Sequence, residues 1–186
     1  MQQPDKNLKR KYSLSEYDPE WTHRFSAIRK LLSEVFSDQA ITIEHVGSTA
    51  IPGMTAKPII DVLVMVSQME LFTEQKELMT KAGYEWGENY IAPNTLLFFK
   101  TRSDGEKLEN IHVCEANAPK VRQFMVLRDF LRVHPEKVKE YSDLKKKNIT
   151  LYPDDYPAYR QAKAPFLEKL EAEANRWYEE TNTKVK

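Results

Sequence analysis

Ile43-Glu44-His45-Val46-Gly47-Ser48-Thr49-Ala50-Ile51-Pro52-Gly53-Met54-Thr55-Ala56-Lys57-Pro58-Ile59-Ile60-Asp61-Val62-Leu63-Val64-Met65-Val66 is the stretch whose reading decides the fold. It begins as a strand that runs into Gly-Ser-Thr, makes a tight connection, and continues as a second strand. Residues 58–66 are apolar or proline except for Asp61, the pattern of a strand covered on both faces. An ionised, unpaired carboxylate in such a strand would cost several kcal/mol. Asp61 therefore needs a proton, a cation or a metal, which makes it the first functional candidate. Gly47 allows close approach to the backbone, and the Ser48 and Thr49 hydroxyls can cradle a phosphate.

A Gly-Ser pair, twelve intervening residues and an Asp on a hydrophobic strand resemble the active-site pattern of the nucleotidyltransferase superfamily. The longer string His45 to Thr49, Pro52-Gly53-Met54 and Lys57 to Asp61 resembles one branch of it, the GrpB-like family. The resemblance continues through Asn110 to Val113, Leu127 to Pro135, Tyr141, Lys145, Tyr159 and Lys163, covering roughly residues 15–175. It implies an α/β fold: a nucleotidyltransferase-like mixed β-sheet of about five strands packed with helices, plus a C-terminal layer of about three helices. It also implies that Ser48 holds phosphates and that Asp61 is the catalytic and metal-binding acid, bringing one Mg²⁺ or serving as base. Catalytic members usually carry Asp-x-Asp or Asp-x-Glu and a third carboxylate to hold two metals. Here Leu63 stands where the second acid would be, on the same side of the strand as Asp61. One carboxylate with substrate phosphates can hold Mg²⁺, but a two-metal clamp is hard to build. The resemblance by itself does not imply an active transferase.

The rest of the chain divides into a polar, basic tail (1–15), an α/β core (16–118) and a helical part packed on it (119–186), one compact unit. Asp18-Pro19-Glu20 opens a helix whose Trp21, Phe25, Ile28, Leu32 and Val35 share one face. Alternation places Ile41, Ile43 and His45 on one side of the next strand. A second helix spans Met69 to Ala82. Strands at Tyr84–Ile91, Leu96–Arg102 and Glu109–Glu115 follow, so a two-strand crossover and a meander give the mixed sheet. His112 and Cys114 share a face, but a Cys–His nucleophile has no third orienting group. A lone cysteine excludes an internal disulfide, and with no apolar run of membrane-spanning length the expectation is a cytoplasmic protein.

The net charge of +0 excludes broad attraction to nucleic acid or anionic membrane. Its distribution suits a cleft, since 1–118 holds 13 Lys+Arg and 17 Asp+Glu whereas 119–186 holds 15 and 11. Within the basic part, Arg128 and Arg132 fall inside the apolar stripe of Val121, Phe124, Met125 and Leu131. Lys163 falls inside that of Tyr159, Phe166, Leu170 and Trp177, with Pro165 implying a kink or restart. Snorkelling accounts for most single cases of this kind. Three cations on two stripes point to a shared anion, either Asp61 or a ligand's phosphates. Lys145-Lys146-Lys147 reads as a solvated face, although Lys145 matches the family motif.

The expected cleft is lined by Ser48, Thr49, Lys57, Asp61, His112, Arg128, Arg132, Tyr159 and Lys163, with His45 orienting a phosphate or holding the Gly-Ser turn. It suits a nucleotide or another phosphorylated small molecule, with nucleotidyl transfer as the reaction the resemblance brings. The alternative is a non-catalytic module in which Asp61 is locked to Lys163 or Arg128. A single-metal phosphoesterase would need a second acid from Glu44, Glu109 or Glu115.

Overall fold

The computed structural model of the protein describes residues 12–69, 72–89 and 91–183. Its centre is the apolar strand β2 (Ile60–Val66), hydrogen-bonded on both sides. On one side β1 (Ala40–Val46) runs antiparallel to it, and on the other β5 (Lys107–Glu115) runs parallel. Beyond β5 lie β4 (Leu96–Thr101) and the edge strand β3 (Glu85–Glu88), both antiparallel, giving the order β1-β2-β5-β4-β3. The first two strands are thus direct antiparallel neighbours. The crossover falls later, between β2 and β5, around the meander.

The two faces of this mixed sheet are covered by different helices. Helix α1 (Glu20–Phe36) starts where the Asp18 carboxylate accepts the Glu20 N–H at 2.9 Å. It buries Trp21, Ile28, Leu32, Val35 and Phe36 against Ile43, Val62, Val64, Ile111 and Val113. Helix α2 (Thr73–Lys81) adds Met79 to the same core. Val62 and Val64 are fully buried, each worth roughly 2 kcal/mol of apolar burial.

On the other face, α3 (Pro119–Val133) packs Val121 on Val46, Leu63, Met65 and Cys114. Helices α4 (Pro135–Leu151) and α5 (Tyr156–Thr183) pack on α3 and on the loop between β1 and β2 through Met54, Phe130, Tyr141 and Leu170. Three C-terminal helices therefore form the expected layer. Of these, α4 carries the Lys145-Lys146-Lys147 run, and α5 runs through Pro165 as one helix without restarting.

Two local expectations change. A register shift between Ala40 and Thr42 breaks the β1 alternation, so Ile41 is 59% exposed while Ile43 and His45 are buried. The expected tail, 1–15, lies outside the described residues up to residue 11. From Tyr12 on it is docked: Tyr12 packs against Tyr156 and Tyr159, and Ser15 pairs with Ala56.

Candidate functional site

Asp61 is the second residue of β2, in register with Val46 on β1 and Asn110 on β5, on the face turned toward the C-terminal helices. Its side chain is 27% exposed and opens into a cavity of about 200 Å³ between the sheet end and helices α4 and α5. Asn110 Nδ2 donates to Asp61 Oδ1 at 2.8 Å, and His112 Nε2 stands 3.6 Å from the same oxygen. Burial opposes ionisation, but His112, Asn110 and the positive charge of Lys57 outweigh it and hold the carboxyl below its usual range.

The Gly-Ser-Thr turn forms the facing wall. Gly47 has φ +72 and ψ −171, a conformation almost confined to glycine. A Cβ there would sit 2.6 Å from Asp61 Oδ2. Glycine is therefore what lets the turn close onto the acid. Ser48 to Ala50 then make a single 3-10 turn. Thr49 is buried and spent internally: its hydroxyl donates to the Ile59 carbonyl at 3.1 Å and accepts from His45 Nε2 at 3.0 Å. Ser48 is the hydroxyl presented to the cavity.

Three lysines complete the lining. Lys57 donates to the Tyr156 hydroxyl at 2.6 Å and lies 4.1 Å from that ring's centroid. Lys163 lies over Tyr159, 5.5 Å from its centroid. Lys145 is only 3% exposed; its Nζ donates to Ser48 Oγ at 3.2 Å and sits 4.2 Å from the Tyr141 centroid. Among the described residues neither Lys145 nor Lys163 has a carboxylate within 4.0 Å. Burial pushes the Lys163 ammonium down to about 8, with Lys57 adding to the effect. Burial, then Lys163 and Lys57, drive Lys145 well below its ordinary value.

Of the residues expected from sequence, Ser48, Thr49, Lys57, Asp61, Tyr159 and Lys163 meet in this cavity. His112 touches Asp61 from behind, with its ring against Phe124. The other three do not line it. His45 pairs with Val62, so it points through the opposite face of the sheet, stacked 4.8 Å from Phe25. Desolvation there lowers its pKa to about 4, so it is a neutral imidazole that holds Thr49. Arg128 does not reach Asp61; it bonds Glu44 at 2.8 Å, Asp129 at 2.7 Å and the His45 carbonyl at 3.2 Å. Arg132 donates twice to the Ala50 carbonyl, at 3.1 and 3.0 Å. Both arginines fasten the turn from outside the cavity. Replacing Arg128 with alanine is expected to cost about 2 kcal/mol, since its partners Glu44 and Asp129 are exposed enough to be resolvated. A urea midpoint should fall while anion affinity, measured by titration, stays unchanged.

Asn110, Lys145, Tyr156 and Ile59 also line the cavity and were not among the expected residues. Lys145 was legible: Val138, Tyr141, Ser142, Lys145 and Asn148 fall on one buried stripe of α4. Asn110 was not, because its place opposite Asp61 depends on strand register. Cys114 is buried, its thiol pushed up to about 11 by desolvation, which leaves no thiolate for a nucleophilic pair.

The donor set bears on a metal. Glu44 is held by Arg128 and Thr42, Glu109 accepts the Tyr84 hydroxyl, and Glu115 accepts the Met69 N–H at 3.0 Å. Among the described residues Asp61 thus has no second acid beside it, and no group of three metal-ligating side chains occurs. The residues present do not fit a two-metal centre.

Residues 11–173 match the family model described as GrpB protein. The chain belongs to the GrpB family. The crystal structure of conserved protein GrpB from Enterococcus faecalis superposes with a TM-score of 0.84 at 28% identity, covering 89% of this chain and 99% of that one. The UPF0157 protein YqkA of Bacillus subtilis is 36% identical over 91% of this chain and 49% of its own length. A dephospho-CoA kinase of Mycolicibacterium paratuberculosis is 25% identical over 90% of this chain and 47% of its own. The chain thus spans about half the length of these two relatives. The open five-stranded sheet with its helical layer is the GrpB fold. Among the described residues no helix is long and apolar enough to cross a membrane.

Proposed function

We propose that this GrpB-family chain binds a phosphorylated small molecule, a nucleotide or a related phosphate ester, in the cavity beside Asp61, and that it does so in the cytoplasm. The observation that carries this reading is Lys145, an ammonium 3% exposed that has Ser48 and a ring for neighbours and no carboxylate partner among the described residues. A buried cation without a counterion is costly, and an anionic ligand supplies what the fold omits. Lys57 and Lys163 converge on the same space. The likeness to a dephospho-CoA kinase, across 47% of that protein, lends support to a nucleotide-related ligand.

If the site transfers a nucleotidyl group, Ser48 and the lysines hold the phosphates and offset charge developing in the transition state, while Asp61 acts as base or shares one Mg²⁺ with the ligand. Calorimetric titration of nucleotides and simpler phosphate compounds, with and without Mg²⁺, tests the reading. Micromolar binding of at least one phosphate compound, lost in Lys145→Met, is the expected result. Failure of every phosphate-bearing compound to bind removes it. The rival, a structural network locking Asp61 to Arg128 or Lys163, lacks its ion pair: Arg128 is bonded to Glu44 and Asp129, and Lys163 is not within 4.0 Å of Asp61.

A further inference from the structure

The charge and size of the cavity narrow the ligand class, on the premise that the site takes phosphate at all. Among the described residues its lining holds three ammonium groups and one carboxylate. Lys57 lies close enough to Asp61 for its charge to favour the ionised acid, so these two offset each other. Lys145 and Lys163 remain as two positive charges without a carboxylate partner among the described residues. A doubly charged anion neutralises both. A singly charged phosphodiester leaves one buried ammonium uncompensated.

Size points the same way. A cavity of about 150 Å³ holds benzene, and pockets for drug-sized ligands begin at about 300 Å³. At about 200 Å³ this cavity has room for a phosphate group and a few further heavy atoms. Its polar groups are also of two kinds. The donors include the three lysines and the Ser48 hydroxyl. The acceptor, Asp61, lies at the strand end with Oδ1 engaged by Asn110 and Oδ2 beside Gly47. A ligand with a phosphate at one end and a hydroxyl or amino donor a few bonds away satisfies both.

We infer that the site recognises a compact phosphate monoester as its dianion, bearing a hydroxyl or amino group that donates to Asp61, with the ammonium groups of Lys145 and Lys163 standing where metal ions would otherwise neutralise the phosphate. Metal is then not needed for binding. The ammonium groups must be protonated in the complex. Lys163 faces Lys57, Arg160, Tyr156 and Asp61, and Lys145 faces Lys163 and Lys57; in the empty cavity both amines lose protons readily. Binding therefore draws protons from solution.

The test is calorimetry of glycerol 3-phosphate, its methyl diester, inorganic phosphate, AMP and ATP, each in EDTA and in Mg²⁺, in two buffers of different ionisation enthalpy. Glycerol 3-phosphate should bind to the parent protein at least tenfold more tightly than the diester, equally well in EDTA, and with uptake of protons. In Asp61→Asn the affinity for inorganic phosphate should hold or rise, because the net positive charge grows, while the advantage of glycerol 3-phosphate over inorganic phosphate disappears. Equal affinity for the diester, an absolute need for Mg²⁺, absence of proton uptake, or an undiminished advantage in Asp61→Asn would overturn the inference. Tight binding of ATP alone would overturn it and leave the broader phosphate reading standing, whereas no binding by any of the five removes both.

Discussion

Lys145→Met should give a protein that melts higher than the parent and no longer binds phosphate compounds. Lys145 is 3% exposed, and its polar neighbour is the Ser48 hydroxyl rather than an acid. Keeping an ammonium there costs desolvation that a single hydrogen bond repays only in part. Methionine is similarly long and unbranched, and its thioether tolerates the Tyr141 ring. The exchange trades one modest hydrogen bond for relief of a buried charge, a net gain of about 1–2 kcal/mol, or roughly 2–8 °C for a chain of this size.

The parent should carry the matching pH signature. Lys145 and Lys163 both have folded pKa values depressed below the unfolded value. Between the folded pKa, about 8 for Lys163, and 10.5, the unfolded chain binds more protons, so stability rises with pH. Cys114 acts oppositely: its thiol is raised to about 11 from 9.0, so the unfolded state gains by ionising above pH 9. The rise is therefore sharpest from about pH 7.5 to 9. Urea midpoints at those two pH values, in parent and Lys145→Met, read it directly. A variant that melts lower than the parent, or a parent whose stability falls across that interval, contradicts the assignment of Lys145 as an uncompensated cation. Saturating phosphate should reverse the order of melting, because only the parent gains from the ligand.

The second large effect is expected at Gly47. An alanine there must adopt φ +72 with ψ −171, which costs about 1–3 kcal/mol for a residue with a side chain. Its methyl group would also lie 2.6 Å from Asp61 Oδ2 and 3.0 Å from Asp61 Cβ. Neither neighbour yields easily, since Asp61 is fixed by Asn110 and by a central strand. A total loss of about 3 kcal/mol, or a fall of roughly 6–12 °C, follows. Phosphate affinity should drop in the same variant, because relief of the clash moves either Ser48 or the acid. Gly53→Ala serves as the control: its φ is also positive at +77, but nothing lies within 4 Å of the added carbon. Equal losses in the two variants would show that backbone strain alone, rather than closeness to Asp61, sets the cost.

The contrast between Arg128 and Lys145 shows how far the sequence carried and where it stopped. Both sit on apolar helix stripes, and helical periodicity alone identifies such a position as a cation that needs an anion. It does not say which anion. Glu44 and Asp61 lie on neighbouring strands and on the same sheet face, and only the β1–β2 register with the docking of α3 gives Arg128 to Glu44. Lys145 was passed over although its stripe was legible, because Lys146 and Lys147 beside it are solvated and a run of three lysines reads as one exposed face. His45 keeps the second of its two expected roles, holding the Gly-Ser turn through Thr49, and loses the first for a different reason. Alternation says that it shares a side with Ile43, but whether that side is also Asp61's depends on pairing between strands; His45 opposite Val62 puts the two on opposite faces.

The sequence by itself determined the main elements, the mixed sheet, the two-sided burial of residues 60–66, the family, and the absence of a second acid at Leu63. The elements and their burial follow from spacings of two and of 3.6 residues, which act over a few positions along one chain, and the family from the motifs that resemble it. Only the tertiary structure decided which charges meet. Lys145 and Ser48 are 97 positions apart yet 3.2 Å from one another, and Asp61 and Asn110 are 49 apart at 2.8 Å. Hydrogen bonds and ion pairs are won or lost over about an ångström, and at that scale strand register and helix docking choose the partner.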